Sequence, residues 1–119
     1  MTHNGDLGRR GEDRAAAYLT DLGYRIVDRN WRCPTGEIDI VALDGTELVI
    51  VEVKTRTTRG YGDPLEAVHP QKLTRLCVLA GAWRRAHRDV RARTTRVDLV
   101  GVLMPRHEEP VVDHLRAAA

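Results

Sequence analysis

Residues 36–56 read Gly36-Glu37-Ile38-Asp39-Ile40-Val41-Ala42-Leu43-Asp44-Gly45-Thr46-Glu47-Leu48-Val49-Ile50-Val51-Glu52-Val53-Lys54-Thr55-Arg56. Two runs rich in β-formers flank Asp44-Gly45, a dipeptide suited to a two-residue hairpin loop. The pattern predicts strands over 37–43 and 46–55. From Leu48 to Val53 the second strand is apolar at every position except Glu52. Such a strand belongs in the middle of a sheet covered on both faces. A charge placed there needs a partner or a task, because an unpaired buried charge is strongly unfavourable.

With Asp44-Gly45 as the loop, Asp39 is expected opposite Ile50 and Glu37 opposite Glu52. Strand alternation then sends Glu37, Asp39, Ile50, Glu52 and Lys54 to one face. Asp39 and Glu52 become diagonal neighbours, roughly 7–8 Å apart at the backbone. Carboxylates grouped in this way repel unless a cation sits among them, and hard oxygen donors suit Mg²⁺ or Mn²⁺. A lysine beside that ion, here Lys54, could position a water or help to deprotonate it. The alternative is an ion pair between Glu52 and Lys54 at the exposed end of a strand.

Outward from this unit, residues 6–22 carry Leu7, Gly11, Ala15, Tyr18, Leu19 and Leu22 at helical spacing, with Gly23 placed to stop the helix. Glu12 falls at the edge of that stripe. A first strand is expected over 24–31 and a loop over 33–36. Residues 56–69 read as a loop or short helical turn. Pro70 suits the first position of a helix running to about His87, with Leu73, Leu76, Cys77, Ala80 and Trp83 on one face. A basic loop over 88–94 precedes strands over 96–104 and 111–115. The order α-β-β-β-α-β-β is that of an α/β layer structure. One domain spanning 1–119 is expected, with 1–5 and 117–119 frayed. Trp83 reads as core; Trp31 would either stack a base or pack a strand end.

Composition excludes several classes. The chain has 119 residues, 42% apolar and 30% charged, so it is neither disordered nor membrane-spanning by composition. Its apolar stretches, such as Leu99 to Met104, are far below the roughly 20 residues that span a bilayer. The first six residues show no apolar signal region. Cys33 and Cys77 form no metal or redox motif and read as reduced thiols of a cytoplasmic protein. No zinc spacing, phosphate-binding glycine loop or nucleophile elbow is present. Residues 1–54 hold 7 basic and 10 acidic side chains, 55–96 hold 10 and 3, and 97–119 hold 2 and 4. The central basic stretch fits either a phosphate-facing surface or an ordinary solvated one. Of 19 basic residues 17 are Arg, which leaves only Lys54 and Lys72 as lysines. An ammonium is a compact charge that a guanidinium does not replace.

The sequence resembles the YraN-type family of endonuclease-like bacterial proteins, within the PD-(D/E)XK nuclease superfamily. The matching stretches are Gly8-Arg-Arg-Gly11-Glu12 with Ala16 and Tyr18-Leu19, then Gly23-Tyr24, Asn30-Trp31-Arg32 and Gly36-Glu37-Ile38-Asp39. They continue with Val51-Glu52-Val53-Lys54-Thr55-Arg56, Tyr61-Gly62 with Pro64, and Glu66-Ala67-Val68. Lys72, Arg75-Leu76, Arg96-Val97-Asp98 and His114-Leu115 complete the set, which spans about residues 7–118. The resemblance implies a restriction-endonuclease-like αβββαβ core, with a central mixed sheet flanked by helices on both faces. It also implies Mg²⁺- or Mn²⁺-dependent hydrolysis of DNA phosphodiesters. By that carry-over Asp39, Glu52 and Lys54 are catalytic, and Asp39, Glu52, Glu12 and the Val53 carbonyl bind metal.

Arg56, Arg59, Lys72 and Arg75 would hold the nucleic-acid backbone. The parallel with Holliday-junction resolvases points to branched or single-stranded-containing DNA, by fold-level analogy. Those resolvases act as dimers, and the apolar C-terminal residues could support a homodimer here. The rival expectation is a non-catalytic nucleic-acid-binding or assembly module that keeps the fold. Two departures stand out. Lys72 is followed by Leu73 where the family commonly has Lys-Gln, and Val97 stands where it usually has Phe.

Overall fold

The computed structural model describes residues 5–58 and 69–119. Helix α1 spans Asp6–Asp21. Its end is fixed by Gly23 at φ +95°, a conformation that costs glycine little. The Tyr24 amide donates to the Leu19 carbonyl and the Gly23 amide to the Thr20 carbonyl. Leu19 and Tyr24 both enter the core, so the helix stop also aims the next strand.

The strands are β1 (Arg25–Cys33), β2 (Gly36–Asp44), β3 (Glu47–Arg56), β4 (Thr94–Leu103) and β5 (Val111–Leu115), with α2 at Pro70–Ala86. They form one sheet in the order β1-β2-β3-β4-β5. β3 and β4 are parallel, and the other neighbours are antiparallel. A parallel pair needs a long crossover, and α2 lies within it. Helix α1 packs Ala15 and Leu19 on one face of the sheet, against Ile40, Ala42, Val49, Val51, Val53, Val100 and Val102. Helix α2 packs Leu76, Leu79, Ala80 and Trp83 on the other, against Ile38, Val41, Leu48, Ile50 and Val97. This is the expected mixed α/β core with a helix on each face. Trp83 is core, as read, and its indole N–H donates to Asp28 Oδ2 at 2.8 Å. Trp31 packs at the margin of the α2-side core.

Among the described residues no helix is long and apolar enough to cross a membrane. Residues 59–68, including Arg59, Tyr61, Gly62, Pro64 and Glu66, lie outside those described, as do 1–4.

Two expectations are corrected. The hairpin closes at Asp44↔Glu47, so its loop is Gly45-Thr46 rather than Asp44-Gly45, with Gly45 supplying φ +61°. Ile50 therefore faces Val41, not Asp39. The slip is two residues, so over the paired stretch from Ile40↔Val51 to Asp44↔Glu47 each side chain keeps its face, because the strand period is two. The C-terminal residues 117–119 are tied down rather than frayed. The Val97 amide donates to the Ala119 carbonyl and the Ala118 amide to the Val97 carbonyl, each at 2.8 Å.

Candidate active site

The β2–β3 ladder runs from Asp44↔Glu47 only as far as Ile40↔Val51. Ile40 and Ala42 face α1, whereas Val41 and also Ile38 face α2, so strict alternation breaks at Asp39. β2 stays paired to β1 through Ile38 and Glu37 while it parts from β3. One step beyond the last paired residues, Asp39 stands beside Glu52. The Val53 amide, which would otherwise continue the ladder, donates to Asp39 Oδ2 at 2.8 Å. A forked strand pair with carboxylates at the fork results.

Asp39 is fully buried and Glu52 is 6% exposed. Burial and the Glu52 charge push the Asp39 carboxyl up to about 8, against the downward pull of the Val53 hydrogen bond, with Glu12 and Glu37 adding to the rise. The pair therefore cannot comfortably hold two negative charges without a compensating cation. Glu52 has one: Lys72 Nζ, on α2, lies 2.5 Å from Glu52 Oε2. The Glu52–Lys54 ion pair weighed from the sequence is not formed among the described residues. Lys54 is exposed and lines a cleft with Glu52, Lys72, Arg56 and the start of α1 at Leu7 and Gly8. An adjoining cleft is lined by Glu37, Glu52, Lys72 and Arg75. Arg56 Nε is buried with no hydrogen-bond acceptor among the described residues.

Glu12 reaches the same neighbourhood from α1 but is committed elsewhere. Its Oε1 accepts from Arg29 Nε and Nη2 at 3.1 and 3.0 Å, and from Asn30 Nδ2 at 2.9 Å. Asn30 holds φ +53°, a left-handed conformation that asparagine tolerates. The helix is brought close by Gly11: a Cβ there would stand 2.0 Å from Thr55 Oγ1. Glu37 pairs with Arg32 at 3.3 Å. Among the described residues no three carboxylate, imidazole or thiol groups form a ready-made metal cage. The donors that are gathered, Asp39 and Glu52, are hard oxygens suited to a cation that keeps several of its own waters, as Mg²⁺ does.

The Arg29–Asn30 clamp on Glu12 and the Lys72–Glu52 pair escaped the sequence reading. So did a buried network on β4. Asp98 accepts from Arg96 Nε at 2.9 Å and from the Ala117 amide at 3.0 Å, and His114 Nε2 lies 2.7 Å from it. Burial alone would raise the Asp98 pKa. The bonds from His114, Arg96 and Ala117 outweigh it and hold the carboxyl below its ordinary value. Arg96-Val97-Asp98 and His114-Leu115 were visible as motifs; their meeting was not.

Fold and site together define a restriction-endonuclease-like α/β protein with a forked, carboxylate-bearing strand pair. The model of the uncharacterised protein family UPF0102 matches residues 11–102. The chain is 60% identical over 110 residues to a UPF0102 protein of Arthrobacter sp. (strain FB24), covering 92% of each. It is 54% identical over 118 residues to a UPF0102 protein of Clavibacter michiganensis, covering 99% of each. Over 119 residues it is 49% identical to one from Streptomyces griseus, covering 100% of each. This chain belongs to the UPF0102 family, the YraN-type family that its motifs resemble.

Proposed function

We propose that this protein is a Mg²⁺- or Mn²⁺-dependent endonuclease that hydrolyses DNA phosphodiester bonds, with branched or single-stranded-containing DNA as substrate. The observation that carries this reading is the burial of Asp39 against Glu52 at the strand fork, with the Asp39 carboxyl pushed up to about 8. A fold that merely needed stability would gain little from two crowded carboxylates there.

Asp39 and Glu52 would hold the cation, with the Val53 carbonyl as a further donor and Glu12 nearby. A divalent ion at this place supplies Lewis acidity toward a phosphate oxygen and a more acidic water. The Val53 amide fixes the Asp39 carboxylate, which keeps the seat from rotating. Lys54 stands exposed beside the seat, where its ammonium would orient water and offset charge on the scissile phosphate. Arg56, whose buried Nε has no acceptor among the described residues, and Arg75, on the adjoining cleft, would hold flanking phosphates. Lys72 would leave Glu52 for the phosphate backbone once a cation takes its place.

A second reading, an assembly or nucleic-acid-binding module without catalysis, is favoured by the same Lys72–Glu52 pair, which already neutralises one carboxylate. Cleavage assays with Mn²⁺ and Mg²⁺ over duplex, flap, four-way-junction and single-stranded DNA, and RNA, separate the two. Activity that Asp39→Ala and Lys54→Ala abolish supports the nuclease. No cleavage by the parent protein, or equal cleavage by the variants, rejects it.

A further inference from the structure

We infer that the loop between α2 and β4 is a second nucleic-acid contact, which grips the phosphate backbone of a duplex arm at a distance from the fork. The inference rests on the nuclease reading for its choice of partner, but not for its geometry. Residues 87–93 return the chain from α2 to β4 at the opposite end of β3 from Glu52. The Arg93 amide donates to the Thr46 carbonyl at 2.7 Å, and Thr94 pairs with Glu47. The loop is built rather than loose. Val90 and Ala92 pack on the α2-side core, and His87 stacks on Trp83 with ring centroids 4.0 Å apart. Arg84 ties the loop down through Thr95 Oγ1 at 2.6 Å and the Ala92 carbonyl at 2.8 Å.

With Val90 and Ala92 turned inward, Arg88, Arg91 and Arg93 are left exposed, together with one carboxylate, Asp89. None of the three forms an ion pair among the described residues. An ordered loop that spends its apolar residues on anchoring and presents three guanidiniums against one carboxylate is preorganised for a polyanion. Guanidiniums match phosphate oxygens in pairs and are only weakly hydrated. Asp28 on β1 lies 3.7 Å from His87 at the loop end, but the helix between the two ends adds no negative charge. Helix α2 contains no acidic residue, and its exposed positions Gln71, Thr74, Arg75, Val78 and Arg85 are neutral or basic. Helix α1, on the other face, carries four acidic residues.

The 17 residues of α2 measure about 25 Å at 1.5 Å per residue. That is about 7 base pairs of B-form duplex at 3.4 Å each. A duplex seated at the fork therefore reaches the loop when its arm continues for about that length, and a rigid arm holds its backbone in register with both contacts. This selects an extended duplex segment beside the cleavage point, and it disfavours short or wholly single-stranded substrates.

The test is fluorescence anisotropy in EDTA, which prevents cleavage. The full chain is compared with the Arg88→Ala/Arg91→Ala/Arg93→Ala variant, Arg84 being left in place to keep the loop anchored. The probes are a 24-base-pair duplex and a hairpin with a 6-base-pair stem. The variant should lose roughly 10-fold or more in affinity for the long duplex, and should stay within about twofold on the short stem. Its salt slope on the long duplex should fall by about 2–3, the loss of three phosphate contacts.

Equal losses on both probes, or none on the long duplex, overturn the inference. So does binding of the parent protein to phosphatidylserine vesicles, lost in the variant, with no duplex binding. A parallel Mn²⁺ cleavage assay keeps the two readings apart. Cleavage by the parent protein with an unchanged variant on the long duplex removes the second contact alone. Length-dependent binding without any cleavage removes the nuclease reading alone.

Discussion

The Lys72 ammonium on α2 lies 2.5 Å from the buried Glu52 carboxylate on β3. This contact joins the second helix to the strand fork and occupies the charge that a cation would answer. Lys72→Met should cost about 1 kcal/mol in cation-free buffer, more than a surface pair because Glu52 is buried. Millimolar Mn²⁺ should then raise the melting temperature of Lys72→Met more than that of the parent, since the ion no longer competes with the lysine. Equal shifts in a thermal-melt series would separate Lys72 from the seat.

Asp39 predicts an unusual pH dependence. Its carboxyl is held at about 8 in the folded chain, against an ordinary value of 3.8. The folded state thus binds a proton that the unfolded state has released between those values. The contribution is fully present below about pH 4 and is lost as pH rises through about 8. In EDTA, urea midpoints should correspond to a loss of at least about 1 kcal/mol between pH 5 and 8. Asp39→Asn should remove most of that slope. A parent profile already flat over this range would show that Asp39 is ionised throughout.

The close approach of α1 to β3 gives a packing prediction. Gly11→Ala places a methyl 2.0 Å from Thr55 Oγ1 and 2.6 Å from its Cγ2, so the helix or strand must move. A cost of about 1–3 kcal/mol is expected from overpacking. Thr55→Ala in the same chain should recover part of it, because two of the three clashing atoms disappear. Chemical denaturation of the single and double variants measures the recovery.

Glu12 is 2% exposed and takes three hydrogen bonds from Arg29 and Asn30 on β1. Arg29→Met should destabilise by about 2–3 kcal/mol, because it leaves a buried carboxylate short of its main partner. Glu12→Gln added to Arg29→Met should restore stability, since the amide is neutral. If the double variant is no more stable than Arg29→Met alone, the charge on Glu12 is not what the clamp serves.

Much of this architecture was already legible in residue order. Leu48 to Val53 could only be a doubly covered strand, and Pro70 and Gly23 marked where helices begin and end. These features depend on local propensity and on burial of one stretch at a time. The hairpin shows the limit of that local reading. Asp44-Gly45 announced a turn, but whether the loop began at Asp44 or Gly45 depended on closure by Asp44 and Glu47, both of which hold Arg96 from β4. Parity survives the shift over the paired residues, where Ile50 meets Val41 rather than Asp39, but the alternation itself breaks at Asp39, where β2 parts from β3.

The sequence by itself determined which residues could be buried, in what order the strands and helices follow, and that acidic groups would be trapped within an apolar sheet. Only the tertiary structure decided who neutralises them. Lys72 and Glu52 are separated by 20 positions, and Arg29 and Glu12 by 17, across elements whose contact is set by sheet order and helix placement. Likewise, only the docking of Ala117 on Asp98 revealed that the C-terminal residues are held. Periodicity fixes which side of an element a residue occupies; which charge it meets there follows from how the layers pack.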